Sequence, residues 1–398
     1  MSWHFVKHLP LLLSLSTVTA QDDATLPQEE ARHRIEVKAA SAGPWGDLEY
    51  YEIALQCPEE FLSAIRMPSQ STEWVFEASN QDELQDILSR SGLTEKESAS
   101  LISSSTLLYD SEIIRVFPSE ETVLKMAPAT RSNLYSLLAL YEQNQFYRRP
   151  IYIGESNLSR WFRGTDVARP IIEDIAQLAY PTRNGRGFYL SDIAFTLRNT
   201  TNAAEERDLF QALLRRKALI VRLRPGTFES SPAIAAYWSA DYKNKEVLPL
   251  LESVVQSNQG GAIDIAHLLP PIPRQYLNIF PALSDGIGGR FPDWFWTCYN
   301  FFRFTPRPVF ADSPERDSLI LREFTETLPP YQFGDMILLN SGGKTIHGCI
   351  YIAEEIVYTK NGPDVFSPWV LMRIQDVVGY HDRIGDAALA AYRKRPSP

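Results

Sequence analysis

The chain has 398 residues, of which 44% are hydrophobic and 22% are charged, and its formal net charge is −10. This composition is typical of a globular protein, and the length favours two or three domains over a single core. An acidic chain without a long basic run is not attracted to nucleic acid or to anionic lipid, so we expect neither as a partner.

The first 20 residues have the pattern of a secretory signal peptide. Lys7 supplies a positive start, residues 9–18 form a short apolar core, and residues 18–20 are a small-residue cleavage site before Gln21. This run is too short to span a membrane and no later run is long enough, so we expect no stable membrane insertion. We predict an exported protein, whether periplasmic, envelope-bound or secreted; a buried N-terminal strand or helix is the alternative.

The next segments pass from polar to folded patterns. Residues 21–45 are polar and lack sustained periodicity, which is typical of a linker. In residues 46–118, strand-like alternation surrounds a helix pattern with Asn80 as N-cap and Gly92 as its stop. We therefore predict a small α+β module over 46–118. Residues 119–262 repeat helical spacing and are predicted to be a mainly helical region.

Residues 263–398 are predicted to form the last domain. The Pro-Pro-Ile-Pro run at 270–273 makes a stiff passage and interrupts the preceding helical pattern. We place the boundary near 262–272 for this reason.

The last domain contains the candidate nucleophile, Cys298. This residue lies in the aromatic run FPDWFWTCYNFFRF, with Phe301 and Phe302 three and four residues further on. If a helix begins near Thr297, this spacing places Cys298 on its buried face. A cysteine in the first turn of a helix feels the positive end of the helix dipole, which favours the nucleophilic thiolate.

The candidate base, His347, begins the strand-like run IHGCIYIA, and a second strand-like run, IVYT, follows it. We predict a hairpin in which residues 353–355 form a three-residue loop, so that Ile352 pairs with Ile356. The same register places His347 opposite Asn361. Directly opposed residues on antiparallel strands point to one face of the sheet, so the amide of Asn361 is predicted to lie within reach of the imidazole.

The residue that orients His347 has an alternative. Thr359 falls on the same predicted face and is the second candidate. Asn361-Gly362 is in addition a strong turn dipeptide, which is a structural explanation for Asn361.

The order of these residues resembles the site of the NlpC-type cell-wall peptidases. His347 follows Cys298 by 49 positions (347 − 298 = 49), and a polar residue follows one strand further on. The NlpC-type peptidases are papain-like cysteine hydrolases. The run FGDMILL at 333–339 is similar to the Gly-Asp-hydrophobic strand before the family's histidine. The resemblance covers the last third of the chain and implies a papain-like domain, a helix packed on an antiparallel sheet, within an α+β chain. It implies Cys298 as nucleophile, His347 as acid and base, and Asn361 as orienting residue.

The resemblance also implies a substrate, namely a peptide or peptidoglycan-like molecule cleaved at an amide bond. Thr297 and Tyr299 flank the cysteine here, whereas stem-cutting family members usually carry Asp before it and Ser-Gly after it. The sequence therefore supports cysteine-dependent amide cleavage better than it supports a peptidoglycan-like substrate. The histidines form no close pair of the kind that binds zinc, and we expect no metal or other cofactor.

Several alternatives remain open. The chain is either an enzyme or a non-catalytic envelope or surface-binding protein with a degenerate papain-like domain, in which Cys298 is an ordinary core thiol. A thioester-forming acyltransferase would use the same residues.

Cys349 lies two positions from His347 and is predicted to be a buried free thiol rather than half of a disulfide with Cys57. His381 is interpreted as a surface residue. The sequence does not determine the oligomeric state.

Overall fold

The computed structural model of the chain describes residues 36–62, 72–224, 231–241, 243–256, 261–286, 288–381 and 387–396. The predicted signal peptide and most of the predicted linker lie outside these ranges. Residues 37–398 form one compact unit. Within the described ranges, no helix is both long enough and apolar enough to cross a membrane.

The predicted α+β module contains both strands and helices. Its elements are β1 (Lys38–Ala39), β2 (Asp47–Leu55), α1 (Glu59–Leu62), β3 (Trp74–Phe76), α2 (Gln81–Arg90), α3 (Glu95–Ser104), β4 (Thr106–Asp110) and β5 (Ile113–Phe117). Strands β3, β5 and β4 form an antiparallel sheet. Asn80 caps α2 as predicted, because its side chain accepts a hydrogen bond from the backbone N–H of Glu83.

The region predicted to be mainly helical contains helices and additional strands. Its elements are α4 (Glu120–Lys125), α5 (Pro128–Leu138), α6 (Gln145–Arg148), β6 (Ile151–Ile153), α7 (Leu158–Trp161), α8 (Arg169–Leu178), β7 (Tyr180–Pro181), β8 (Phe188–Leu190), α9 (Ile193–Leu197), α10 (Ala203–Leu213), β9 (Arg216–Arg224), α11 (Ser231–Ser239) and α12 (Leu248–Gln256). The sequence patterns missed the small antiparallel sheet β6-β8-β7. Strands this short show too little alternation to be recognised.

Strand β2 pairs along its whole length with β9, from Asp47 opposite Arg224 to Leu55 opposite Arg216. Together with β1 and β10 (Ile263–Asp264) they form a sheet of order β1-β2-β9-β10. The first long strand of the predicted α+β module thus shares a sheet with residues of the helical region. The segment boundaries near 118 and 262 stay a prediction.

The last part of the chain builds the sheet that carries the candidate site. Its further elements are α13 (Pro271–Tyr276), α14 (Trp294–Tyr299), α15 (Arg316–Glu323), β11 (Phe324–Thr327), β12 (Met336–Ser341), β13 (Lys344–Ala353), β14 (Ile356–Lys360), β15 (Trp369–Arg373), α16 (Ile374–His381) and β16 (Ala388–Lys394). Short 3₁₀ turns cover Lys245–Val247, Ile265–Leu268 and Leu283–Asp285. Helix α13 begins inside the passage expected to interrupt helical structure. Prolines are tolerated in a first turn, where the missing N–H has no helical partner to lose.

The strands of this last part form a six-stranded antiparallel sheet of order β11-β16-β12-β13-β14-β15. A large apolar cluster on one face joins α14 to Ile350 and Tyr358 of the sheet. A second cluster on the other face includes Leu339, Cys349 and Met372. The chain is therefore of the α+β class, as predicted, with a helix packed on an antiparallel sheet.

Candidate functional site

Helix α14 begins earlier than the sequence analysis expected. Its N-cap is Asp293, which accepts hydrogen bonds from the backbone N–H groups of Trp296 at 2.9 Å and Ala311 at 2.7 Å. The expected start near Thr297 is wrong, and Cys298 is the fifth residue of a six-residue helix. Cys298 is buried, as its spacing predicted, but it lies in the last turn. That end of a helix carries the negative end of the dipole, which disfavours a thiolate.

The surroundings of Cys298 favour the neutral thiol. Burial raises the pKa of Cys298 well above its usual range, and the nearby Cys349 and Asp293 raise it further. Because the thiolate is the attacking form, this environment opposes nucleophilic attack. The predicted activation of the thiol by the helix terminus is therefore not supported by the position of Cys298 in α14.

The hairpin of β13 and β14 has the predicted register but a different loop. The pairs are Ile350–Tyr358 and Tyr351–Val357, whose numbers both sum to 708. Next to the turn, Ala353 pairs with Ile356, so Ile352 is bulged and the predicted Ile352–Ile356 pair is wrong. The loop has two residues, Glu354 and Glu355. The bulge adds one residue to β13, which compensates for the shorter loop and preserves the register.

His347 bonds to Thr359 rather than directly to Asn361. The distance from His347 Nε2 to Thr359 Oγ1 is 2.8 Å, and the Thr359 hydroxyl donates to Asn361 Oδ1 at 3.0 Å. The amide of Asn361 donates in turn to the sulfur of Met372 at 3.0 Å. The hydroxyl proton of Thr359 points to Asn361, so this network assigns the imidazole proton to Nε2. Thr359, the second candidate, is the direct partner of the ring.

His347 is enclosed and uncharged. It is 1% exposed, and the ring of His381 stacks on it at a centroid distance of 3.8 Å. Burial lowers the pKa of His347 well below its usual range, and the charge of His381 lowers it further. The interpretation of His381 as a surface residue is wrong. It is half-buried at the end of α16, and no local pattern in the sequence indicates that this helix brings it onto His347.

Cys298 and His347 lie on opposite faces of the sheet. Cys298 belongs to the cluster that contains Ile350 of β13. His347 is paired across the strands with Leu339, which belongs to the cluster on the other face. Successive side chains of a strand alternate between faces, so the odd-numbered His347 and the even-numbered Ile350 of β13 point in opposite directions. The backbone of β13 therefore separates the two predicted catalytic side chains.

An indole ring covers the strand on the Cys298 side. Trp294 lies over Gly348, and a Cβ atom placed on Gly348 would stand 2.6 Å from the indole. The ring of Trp294 is 6.3 Å from that of His347. The absence of a side chain at Gly348 thus allows α14 to approach the sheet closely.

Lys360 is a buried charged residue that the sequence analysis missed. Its Nζ donates to the backbone carbonyl of Gly362 at 2.5 Å and to that of Asp364 at 3.0 Å, and it lies 5.3 Å from the ring centre of Trp369. Burial lowers its pKa to about 8, against the opposing effect of Asp364 and Asp293. A lysine at the end of a strand pattern normally indicates solvent, so the sequence offered no signal for this position.

The three cysteines, Cys57, Cys298 and Cys349, are buried and free, and this confirms the prediction of a free thiol for Cys349. No group of histidine, cysteine or acidic residues in the described ranges could hold a metal ion.

Comparison of the chain with models of known protein families, with curated proteins and with solved structures finds no match. The resemblance to NlpC-type peptidases therefore rests on the quoted sequence runs alone.

Proposed function

We propose that the chain is an exported, non-catalytic binding protein of the cell envelope or cell surface, with a degenerate papain-like C-terminal domain. The observation that carries this proposal is the placement of Cys298 and His347 on opposite faces of one sheet. A nucleophile and its base must lie within hydrogen-bond reach, about 2.6–3.2 Å. A strand backbone between the two side chains prevents this contact.

The charge states of the two residues also support a non-catalytic role. A cysteine hydrolase needs a thiolate, which is usually stabilised by a neighbouring imidazolium or another positive group. Here burial shifts the pKa of Cys298 upward and that of His347 downward, so both groups are neutral near pH 7. Each shift disfavours the charged form that the reaction requires.

The competing proposal is a cysteine hydrolase, or an acyltransferase that uses the same thioester. The chain of hydrogen bonds from His347 through Thr359 to Asn361 favours it, because such a chain orients an imidazole for acid–base chemistry. Its Nε2 proton leaves Nδ1 to act as the base. This activity requires Cys298 to reach the face of the sheet that carries His347.

Labelling of Cys298 by a thiol-reactive peptide probe at neutral pH distinguishes the two proposals. We expect no labelling of the native chain within the time that labels a free thiol in solution. The reason is that Cys298 is 3% exposed and its thiol is neutral. In denaturant we expect three labelled cysteines, detected by mass spectrometry.

The variants Cys298→Ala and Cys349→Ala serve as matched controls, and each should carry two labels in denaturant. Rapid labelling of the native chain that is lost in Cys298→Ala and kept in Cys349→Ala would favour the hydrolase.

A further inference from the structure

Strand β4 is an open edge of the sheet β3-β5-β4. Among the edge strands of the described ranges, β4 and β15 are the longest, with five residues each. A neighbouring segment covers part of β15, because the N–H of Asn278 donates to the carbonyl of Trp369 at 2.7 Å and the N–H of Trp369 donates to the carbonyl of Ile279 at 3.4 Å. Within the described part of the chain, β4 pairs with β5 alone.

The direction of the β4 backbone groups follows from the hairpin that joins β4 to β5. Asp110 and Ile113 are paired beside a two-residue loop, 111–112, and such a pair exchanges hydrogen bonds. Bonded and non-bonded pairs alternate along antiparallel strands, so every second residue of β4 bonds to β5. The N–H and C=O groups of the residues between them, Leu107 and Tyr109, therefore point to the free edge.

The opposite edge of the same sheet supports this assignment. There the buried side chain of Asn144 accepts from the N–H of Val75 at 2.9 Å and donates to its carbonyl at 2.8 Å, so both backbone groups of Val75 point away from β5. Arg115 of β5 lies between Val75 and Leu108. A residue directs both of its backbone groups to one neighbour, so Arg115 bonds to Leu108. Asn144 thus closes β3, and no other described residue closes β4 in this way.

The open edge of β4 is apolar and unprotected. Leu108 is 52% exposed and Tyr109 is 55% exposed. Natural edge strands are commonly protected from pairing by lysine, proline or a β-bulge. The sequence of β4, TLLYD, contains neither residue, and its register with β5 has no bulge. Pairing with a further strand would satisfy the outward backbone groups and cover these side chains.

A second copy of the same strand fits this edge. When two β4 strands run antiparallel about a two-fold axis at Leu108, Leu107 of each copy lies opposite Tyr109 of the other. These residues carry the outward N–H and C=O groups, so their two pairs exchange four hydrogen bonds. In the same register Asp110 lies opposite Thr106 of the other copy. Each carboxylate thus faces a hydroxyl donor rather than a second carboxylate.

We propose that the chain forms a two-fold symmetric dimer through β4, which joins two three-stranded sheets into one sheet of six strands. The observation that carries this proposal is the match between the outward groups of Leu107 and Tyr109 under a two-fold axis at Leu108. The seam is short, so we expect a dimer that dissociates in the micromolar range. This inference goes beyond the proposed function and shares no residue with the site around Cys298 and His347.

Sedimentation velocity of the full chain at concentrations from about 1 to about 100 μM measures the association. We expect the sedimentation coefficient to rise with concentration from that of a monomer to that of a dimer. Tyr109→Pro should abolish the rise, because proline has no N–H to donate across the two-fold axis. The fold should be kept, since the N–H of Tyr109 takes no part in the pairing with β5. Tyr109→Val keeps the N–H and should retain part of the association.

Cross-linking locates the two-fold axis and does not depend on the proline variant. In the proposed dimer the two copies of Leu108 form a directly opposed pair without hydrogen bonds, with Cα atoms about 4.5 Å apart. A disulfide spans this separation, so Leu108→Cys should give a covalent dimer under mild oxidation. Leu321→Cys is the matched control, because Leu321 is 72% exposed on α15, and it should give no covalent dimer above background. The native cysteines are buried and do not compete.

Two results would overturn the proposal. One is a chain that stays monomeric at about 100 μM, which would leave β4 to an extended strand of a different protein. The other is a dimer that persists in Tyr109→Pro with unchanged thermal unfolding and that Leu108→Cys does not cross-link, since such a dimer uses another surface. Neither result depends on the labelling of Cys298, so this proposal and the proposed function fail separately.

Discussion

Lys360 places an amine on the same face of the sheet as Cys298. Its neighbour across the strands, Trp369, belongs to the same apolar cluster as Cys298. Backbone carbonyls rather than a carboxylate accept its hydrogen bonds. The protein therefore bears the cost of a desolvated charge at neutral pH, and burial lowers the pKa of Lys360 to about 8.

This shift predicts that the contribution of Lys360 to the stability of the fold rises with pH. An unfolded lysine keeps its proton up to about pH 10.4, whereas folded Lys360 releases its proton near pH 8. Between these values unfolded Lys360 binds more protons than folded Lys360, so the contribution of this residue to the free energy of unfolding increases, in total by roughly 3 kcal/mol. Lys360→Met should abolish this increase, because methionine does not titrate. Denaturant unfolding of both proteins at pH 7.5 and pH 10 measures the difference.

Lys125→Met is the control for this measurement, since the Lys125 side chain is 73% exposed. This variant should keep the wild-type dependence on pH. If the stability of Lys360→Met changes between pH 7.5 and pH 10 by the same amount as that of wild type, Lys360 is solvated in solution.

At the scale of elements, the contact of α14 with β13 depends on Gly348. A Cβ atom at this position would lie 2.6 Å from the indole of Trp294 and 3.0 Å from Leu338. We expect Gly348→Ala to lower the free energy of unfolding by about 1–3 kcal/mol, the usual cost of overpacking. Urea unfolding measures this change.

Gly261→Ala is the matched control, because no atom of the described residues outside its immediate neighbours lies within 4 Å of the corresponding Cβ position. Its effect should be within about 0.5 kcal/mol of zero. Equal stability of Gly348→Ala and wild type would show that α14 does not press on β13 at Gly348.

The sequence predicted local features of the site better than its long-range packing. The register of β13 and β14 follows from alternation within 15 residues (361 − 347 + 1 = 15). The predicted register was correct although the predicted length of the loop was wrong. The helix start was missed although Asp293, directly before an apolar run, is an N-cap signal. The face on which α14 packs could not be predicted, because it depends on contacts between distant segments such as Trp294 over Gly348.

At the scale of the whole molecule, the core around Cys298 is built by distant parts of the chain. Leu48 of β2 and Val221 of β9 belong to the same apolar cluster as Trp294 and Cys298. A fragment of residues 263–398 would expose this surface, so we expect it to lack a cooperative thermal transition, whereas the full chain shows one. Near-ultraviolet circular dichroism during heating tests this expectation.

A contrary result is a fragment of 263–398 that unfolds cooperatively with a native-like aromatic signal. The predicted last domain would then fold independently of β2 and β9. A second fragment that begins at residue 37 and retains both strands is the positive control, since residues 37–398 form one compact unit.

The burial of Cys57, Cys298 and Cys349 has a consequence for how the chain matures. Disulfides form through thiolates that can reach an oxidant. In the folded protein all three thiols are buried, so an oxidant in solution does not reach them. In an oxidising compartment, wrong cross-links would therefore form only while the chain is still unfolded. Three thiols allow three incorrect pairs. The yield of correctly matured protein then depends on a competition in time between chain collapse and oxidation.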